Sequence, residues 1–312
     1  MLREFEISCA EPGYYCDWSW LPSAKPNTTM HLPELTSLTL QHVPFKWSSP
    51  LLYRPLTSLT LRSLPNNHLS VDRLLHVVHS IPTLVSLSAH FAMLGPAVLP
   101  LFPCTLPALR ELNLGGHHLL AHFLDTLSLP ALISLILDVE AHEPIEELIA
   151  ALLQRSSHPP INELALAYAL GAAAGGGPAI YYAGGGAVTS WAFLSDLTHL
   201  RTLSVGGAPF DPLLSALGPP EDEGSPLPCP DLTTLRLRGC HAHGEGIARL
   251  VQMIEARNAG APGTGTQKVR TLELAQCQPL GQDVMAWLNS HVEDVVCTEI
   301  HEDRCVRCAT LE

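Results

Sequence analysis

The C-terminal tail holds the residues whose types and spacing are closest to those of a metal site. The run CTEIHEDRCVRC brings Cys297, His301, Cys305 and Cys308 close together, and thiolate and imidazole groups are the ligands of tetrahedral zinc sites. Cys305 and Cys308 have the spacing of one zinc hook, but the set is compressed and lacks a second hook. The alternative is a solvated tail with free thiols, and we favour that alternative.

Histidine and glycine runs offer two other routes to chemistry. The 16 histidines are densest in GGHHLLAH (115–122) and CHAHGEG (240–246), and both runs follow a strand-like line at a turn. No serine or cysteine nucleophile lies in a recognisable elbow motif. The run GTGTQK (263–268) lacks the first glycine of a phosphate-binding loop. We therefore predict a protein that is not an enzyme and has no cofactor.

The elements that must position any functional residue come from a line that the chain repeats. LPELTSLTL (32–40) and LPALRELNL (106–114) share the pattern L-x-x-L-x-x-L-x-L. Nine strong copies align on Leu38, Leu59, Leu87, Leu112, Leu135, Leu164, Leu203, Leu235 and Leu272. Weaker copies at Phe5 and Val295 bring the number of candidate repeats to eleven. This period is typical of leucine-rich repeats, and the longer spacings indicate insertions.

The repeated line has a direct physical meaning. In L-x-L both leucines point to one face of a short strand, and the residues between them point to the other face. A lone strand cannot bury its leucines, whereas stacked copies form a parallel sheet with a continuous core. Amphipathic helices are predicted between strands at 70–80, 144–155, 244–257 and 281–291, the first capped by Ser70. The fold class is therefore α/β, a horseshoe-shaped leucine-rich-repeat solenoid with strands on its concave face and helices or irregular segments on its convex face.

The domain organisation follows from the extent of the repeats. We predict a solenoid over residues 1–298 and a tail over 299–312. The glycine-rich insertion 171–187 is predicted to leave the solenoid as a poorly ordered loop, since its glycines lose much backbone entropy on ordering. The aromatic run EPGYYCDWSWLP (11–22) either folds back over the first repeats or binds a partner.

Two cysteines after late strands carry a family resemblance. LRLRGC with Cys240 and LELAQC with Cys277 resemble the cysteine-containing repeats of F-box/leucine-rich-repeat proteins, and WLNSHVEDVV is similar to the last repeat of those chains. The usual asparagine after the strand is mostly absent, as in fungal members with looser repeats of the ribonuclease-inhibitor type. The resemblance implies the substrate-recognition repeats of a ubiquitin-ligase receptor.

One part of the resemblance is missing from this sequence. No F-box precedes the repeats, because the chain opens at LREFEI, inside a strand-like line. In the family, that module docks the Skp adaptor of a cullin ligase, so we do not expect this adaptor to bind here. The alternative is a repeat scaffold or regulator with no ubiquitin-ligase connection.

Residues beside the core leucines are the candidate partner-binding set. Seven of them carry charge or strong hydrogen-bonding groups: Arg62, His90, Asn113, Asp138, Arg236, Arg238 and Glu273. Arg236 and Arg238 are two positions apart, so their side chains share a face. The alignment predicts that Arg236 pairs with Glu273 on the next strand, while Arg238 stays free for a protein partner.

Composition excludes several other partners. The chain has 30 acidic and 17 basic residues and a net charge of −13, which repels nucleic acid. Arg3, Glu4 and Glu6 interrupt any secretory signal. The longest uncharged stretch contains too many glycines for a membrane helix. We therefore expect no membrane contact, reduced cysteines and a cytoplasmic or nuclear location.

Overall fold

The computed structural model describes residues 2–9, 34–43, 45, 47–62, 69–139, 145–167, 190–219, 226–240, 245–258, 266–277 and 280–298. The aromatic run 11–22, the insertion 171–187 and the tail 299–312 lie outside these ranges. What the sequence predicts for those three segments, and the domain boundary at residue 298, therefore stay predictions.

Within the described ranges the chain forms fifteen strands. In chain order they are β1 (Glu4–Ser8), β2 (Ser37–Gln41), β3 (Ser58–Arg62), β4 (Leu69–Ser70), β5 (Ser86–Phe91), β6 (Leu94–Gly95), β7 (Cys104–Thr105), β8 (Glu111–Gly116), β9 (Leu127–Ser128), β10 (Ser134–Val139), β11 (Glu163–Leu166), β12 (Thr202–Gly206), β13 (Thr234–Arg238), β14 (Thr271–Ala275) and β15 (Asp294–Thr298). Eleven of them form one parallel sheet in the order β1-β2-β3-β5-β8-β10-β11-β12-β13-β14-β15. The pairs β4-β6 and β7-β9 form two small separate sheets.

The leucine alignment made from sequence is the register of the main sheet. Each of the nine predicted leucines pairs with the next one along the chain, from Leu38 with Leu59 to Leu235 with Leu272. All nine are at most 1% exposed. Phe5 and Val295 extend the same ladder at its two ends. The predicted leucine-rich-repeat solenoid is confirmed, and its main sheet has eleven parallel strands.

In the part of the chain that the structure describes, six α-helices lie between strands. They are α1 (Val71–His79), α2 (Leu120–Thr126), α3 (Ile145–Arg155), α4 (Phe210–Leu217), α5 (Gly246–Asn258) and α6 (Gln282–His291), and 3-10 turns lie at Pro50–Tyr53 and Ala192–Asp196. The predictions of α1, α3, α5 and α6 are confirmed, whereas the sequence analysis missed α2 and α4. Ser70 occupies the N-cap position of α1, but its side chain makes no capping bond and interacts with Asp72 instead, so that detail was wrong.

The residue after several strands turns the chain out of the sheet. His42, Gly207, Gly239 and Gln276 all have a positive φ, between 53° and 67°. The N–H of each donates to a carbonyl on the neighbouring strand, at 2.8–2.9 Å. Glycine and polar residues tolerate this left-handed conformation. This chain thus makes the turn without the asparagine that usually follows the strand in F-box/leucine-rich-repeat proteins.

The two cysteines of the resemblance lie one residue beyond this turn. Cys240 is fully buried and its thiol donates to the Val205 carbonyl at 3.6 Å; Cys277 donates to the Leu237 carbonyl at 3.4 Å. Each thiol therefore links its repeat to the preceding strand. The cysteine spacing reflects packing between repeats, because a small, weakly polar side chain fits this core position.

A buried arginine connects α5 to the preceding repeat. Arg257 is 2% exposed, and its guanidinium donates to three backbone carbonyls, those of Leu217, Pro228 and Cys229. Leu217 is the last residue of α4, and Pro228 and Cys229 lie just before β13. Arg257 therefore bonds to both ends of the connection between these two elements. Burial lowers the pKa of Arg257 to about 10, so the side chain remains charged at neutral pH.

Candidate functional site

The open face of the main sheet is the side opposite the leucine core. We define it by the strand residues that alternate with core residues. The last row of this face runs across the C-terminal ends of the strands through Arg62, His90, Gly115, Asp138, Gly206 and Arg238. The middle row lies one pleat before it and includes Ser88, Asn113, Ile136, Ala165, Ser204, Arg236 and Glu273.

Arg62, His90 and Asn113 meet on three neighbouring strands. The Nε2 atom of His90 lies 3.0 Å from Oδ1 of Asn113. Nε2 is the donor to this oxygen, and in the neutral imidazole that leaves the lone pair at Nδ1. Burial and the charge of Arg62 lower the pKa of His90, and the Asn113 contact opposes them. Arg62 is therefore the cation of this group at neutral pH.

His90 occupies the place that a side chain on the next strand would fill. A Cβ added to Gly115 would lie 2.2 Å from Nδ1 of His90. Glycine at this position therefore lets the imidazole lie flat over β8 and reach Asn113. Sequence analysis did not select Gly115, because a residue without a side chain gives no chemical signal.

Asp138 is a buried acid on the open face. Its side chain is 7% exposed, and Oδ1 accepts no hydrogen bond from the residues that the structure describes. Burial raises the pKa of Asp138 to about 7, although the charge of Arg238 acts in the opposite direction. At neutral pH the carboxyl group is therefore close to half ionised.

The surroundings of Asp138 are made of small residues. Gly115 lies beside it in the last row, and Ala165 and Ser204 follow in the middle row on the next two strands. Ala165 is 9% and Ser204 is 3% exposed, so this part of the open face is buried. The sequence analysis did not anticipate this burial.

Arg236, Arg238 and Glu273 form the third group. Nε of Arg236 lies 3.3 Å from Oε2 of Glu273, which confirms the predicted ion pair. Arg238 is not free, contrary to the prediction, because its Nε donates to Oε1 of Gln276 at 3.2 Å. The left-handed turn at Gln276 directs its side-chain amide toward β13. The prediction for Arg238 missed this contact because it compared strand residues only.

The structure thus places the seven predicted residues on one face but in separate groups. His90 contacts Asn113 and feels the charge of Arg62 from the preceding strand, and Arg236 contacts Glu273. Asp138 lies between the two groups and is linked to Arg238 by charge alone. The arrangement offers hydrogen-bond donors and acceptors for a ligand, and it contains no nucleophile paired with a base.

A cavity lies away from this face, between α2 and α3. Its volume is about 220 Å³, and the lining includes Leu124, Leu137 and Leu148 with His122 and Asp125. Asp125 is already held by Arg155, whose Nη1 donates to it at 3.0 Å. The cavity is mainly apolar and contains none of the seven predicted residues.

Among the described ranges, no three His, Cys, Asp or Glu side chains come together as a metal site. Cys297, the only described member of the proposed zinc set, lies in β15 with its thiol 3.5 Å from Sδ of Met285. Of the helices that the structure describes, none combines the length and the apolar character needed to cross a bilayer.

Comparison with known proteins assigns no family to this chain. No protein-family model matches the chain, and no curated protein matches it. Among solved structures, the crystal structure of internalin C2 from Listeria monocytogenes is similar, with 17% identity and a TM-score of 0.37. That match covers 77% of this chain and 80% of the internalin chain. At this TM-score the likeness carries no argument, so the fold assignment depends on the strand register and the buried leucine ladder.

Proposed function

We propose that this chain is a non-enzymatic protein-binding module that holds its partner on the open face. The observation that carries the proposal is a pair of unmet hydrogen-bonding atoms in the last row. Oδ1 of Asp138 and Nε of Arg62 are both buried and have no hydrogen-bond partner among the described residues. Such atoms are costly in a free protein and are satisfied when a partner supplies the missing group.

The seven residues predicted from sequence take different parts in this proposal. Arg62, Asp138 and Arg238 supply charge, and arginine is a favoured interface anchor. His90 and Asn113 add no charge beside Arg62, and they supply hydrogen-bonding atoms. Arg236 and Glu273 neutralise one another, and an exposed pair of this kind contributes under ~1 kcal/mol to stability.

Selection from a random peptide display library tests whether the open face binds. Ser88 is half-buried in the middle of this face, and Gln252 is exposed on α5, so Ser88→Trp and Gln252→Trp form a matched pair. We expect selected peptides to lose at least tenfold in affinity for Ser88→Trp and to bind Gln252→Trp as they bind the parent. Equal binding to both variants, with unchanged melting temperatures, would place the binding surface elsewhere.

Arg238 gives a second test of the same surface. Arg238→Ala is expected to leave the melting temperature nearly unchanged, because the contact to Gln276 is exposed. The variant should weaken binding of the selected peptides, and Arg238→Glu should weaken acidic peptides further. Peptides that bind both variants with the parent's affinity would remove β13 from the site.

We infer further that this binding face serves as the substrate-recognition part of an F-box-type ubiquitin-ligase receptor. The support is the resemblance at Cys240 and Cys277, whose thiols occupy equivalent core positions after neighbouring strands. A repeat scaffold without a ligase connection remains the alternative function. Co-purification of the product of the whole reading frame with a Skp-type adaptor supports the receptor, and a frame that encodes no F-box supports the scaffold.

A further inference from the structure

The charged groups of the last row are evenly spaced across the sheet. Arg62 lies on β3, Asp138 on β10 and Arg238 on β13, and each is three strands from the next. Strand spacing in a sheet is about 4.8 Å, so successive charges are about 14 Å apart at the backbone. Their signs alternate along the row as positive, negative and positive.

Two of these three residues have an unmet hydrogen bond. Oδ1 of Asp138 lacks a donor, and Nε of Arg62 lacks an acceptor, among the described residues. Asp138 is 7% exposed, and the charge of Arg238 offsets only part of the effect of its burial. A basic group that reached the carboxylate would remove this cost, and an acidic group would do the same at Arg62.

Among the described residues, the last row carries no charged side chain between Arg62 and Asp138. The strands between them contribute His90, which is neutral, and Gly115, which has no side chain. Arg238 on the far side of Asp138 repels other cations. The three charges therefore confine a basic side chain of a ligand to Asp138 and direct an acidic one to Arg62.

We propose that the open face binds an extended peptide segment in which an acidic and a basic residue are four positions apart. An extended chain advances about 3.3 Å per residue, so four positions span about 13 Å, close to the separation of about 14 Å between Arg62 and Asp138. The acidic side chain lies at Arg62 and the basic side chain at Asp138. This inference rests on the proposed function and adds the chemistry of the partner.

Three phage-displayed peptide libraries test the spacing. Each has one aspartate and one lysine fixed at two, four or six positions apart, and all other positions are random. We expect the four-position library to be enriched at least tenfold over the other two on the parent protein. A helical ligand would bring residues four positions apart to only about 6 Å, so enrichment at this spacing reports an extended segment.

Charge reversal tests the assignment of each residue. On Asp138→Lys, enrichment should move to a library with two aspartates four positions apart; on Arg62→Glu, it should move to one with two lysines at that spacing. Asp138→Asn, which is nearly isosteric, should lose the preference for the lysine without gaining another. Circular dichroism and thermal melting of each variant establish that it is folded.

The outcomes separate this inference from the proposed function. Peptides that depend on Ser88 but show no preferred spacing, or keep it on Asp138→Lys, overturn the inference and leave the open face as the binding surface. Absence of enrichment in every library, together with no Ser88-dependent binder in the random library, overturns both.

Discussion

Two buried charged residues show opposite solutions to the same physical problem. Arg257 directs its donors at three backbone carbonyls, whereas Asp138 leaves Oδ1 without a donor among the described residues. Removing a charge from water is costly unless hydrogen bonds replace the lost hydration. Arg257 therefore contributes to stability, and Asp138 lowers it, which is typical of residues retained for binding.

Replacing Asp138 by asparagine tests the cost of its burial. The pKa of Asp138 is about 7 in the folded chain, against 3.8 for an ordinary aspartate. Between these two values the folded state holds a proton that the unfolded state has released, so stability falls as pH rises from about 4 to about 7. The full loss is about 4 kcal/mol by pH 8.

Urea unfolding at pH 5 and pH 8 measures the part of this loss that falls between those two pH values, about 2–3 kcal/mol. We expect Asp138→Asn to lack that part of the pH dependence and to be more stable than the parent at pH 8. Glu255→Gln, an exposed position on α5, is the control and should retain the parent's profile. Parallel profiles for the parent and Asp138→Asn would mean that the carboxylate finds a donor in the folded protein.

Replacing Arg257 should lower the stability of the protein, whereas replacing Asp138 should raise it at pH 8. Arg257→Met leaves three buried carbonyls without their donor, and we expect a loss of about 3–5 kcal/mol in the free energy of unfolding. Arg249→Met on the same helix removes only an exposed pair with Glu245 and should lose under ~1 kcal/mol. Similar losses for the two variants would show that the carbonyls find other donors.

At the scale of elements, the strands could be predicted from sequence and two of the helices could not. Each L-x-L line fixes which side chains are buried, so the alignment also fixed the register and the Arg236–Glu273 pair. The apolar residues of α4 follow a helical spacing, at Phe210, Leu213, Leu214 and Leu217, but the helix has only eight residues and a proline in its first turn. The helix α2 has only seven residues, too few to show a repeat of 3.6.

The site could be predicted only to the level of a face. Strand alignment selects residues that point the same way, but contacts between them depend on groups outside the pattern. Gly115 admits His90, and Gln276 engages Arg238 from a turn. Neither residue stands out in the sequence. The neutral state of His90 and the pairing of Arg238 therefore could not be predicted from the strand alignment.

The glycine pair that ends β8 offers a test at this scale. A Cβ at Gly115 would meet the His90 ring, whereas one at Gly116 would meet the Phe91 carbonyl oxygen at 2.3 Å at a φ of +91°. We expect Gly115→Ala to lose about 1–3 kcal/mol in the free energy of unfolding and Gly116→Ala to lose more, because a side chain can move and a backbone cannot.

A double variant identifies His90 as the obstacle at Gly115. Adding His90→Ala should recover most of the loss in Gly115→Ala and none of the loss in Gly116→Ala. Chemical denaturation of the parent and of the five variants, three single and two double, gives the coupling energies. Additive losses for His90→Ala and Gly115→Ala would contradict the close approach of the imidazole to β8.

For the whole molecule, stability is a property of neighbouring repeats. Among the described residues, each strand of the main sheet pairs only with its neighbours in the sheet order, and the buried leucines form one continuous ladder. The end strands have one neighbour each, and Phe5 and Val295 are only partly buried. Unfolding should therefore begin at the ends and proceed inward.

Matched core truncations near the middle and near the end of the ladder test this behaviour. Leu164 on β11 and Leu272 on β14 are both fully buried, so alanine at either position removes the same side-chain atoms from the core. Leu164→Ala should lower the hydrogen-exchange protection of amides in β10 by about 2–5 kcal/mol, because those amides open only when the central repeats unfold. Leu272→Ala should speed exchange in β14 and β15 and change the β10 amides by under about 0.5 kcal/mol, because the last two strands can open alone. An equal loss of protection in β10 for both variants would mean that the sheet unfolds as one cooperative unit and that its ends are coupled to its centre.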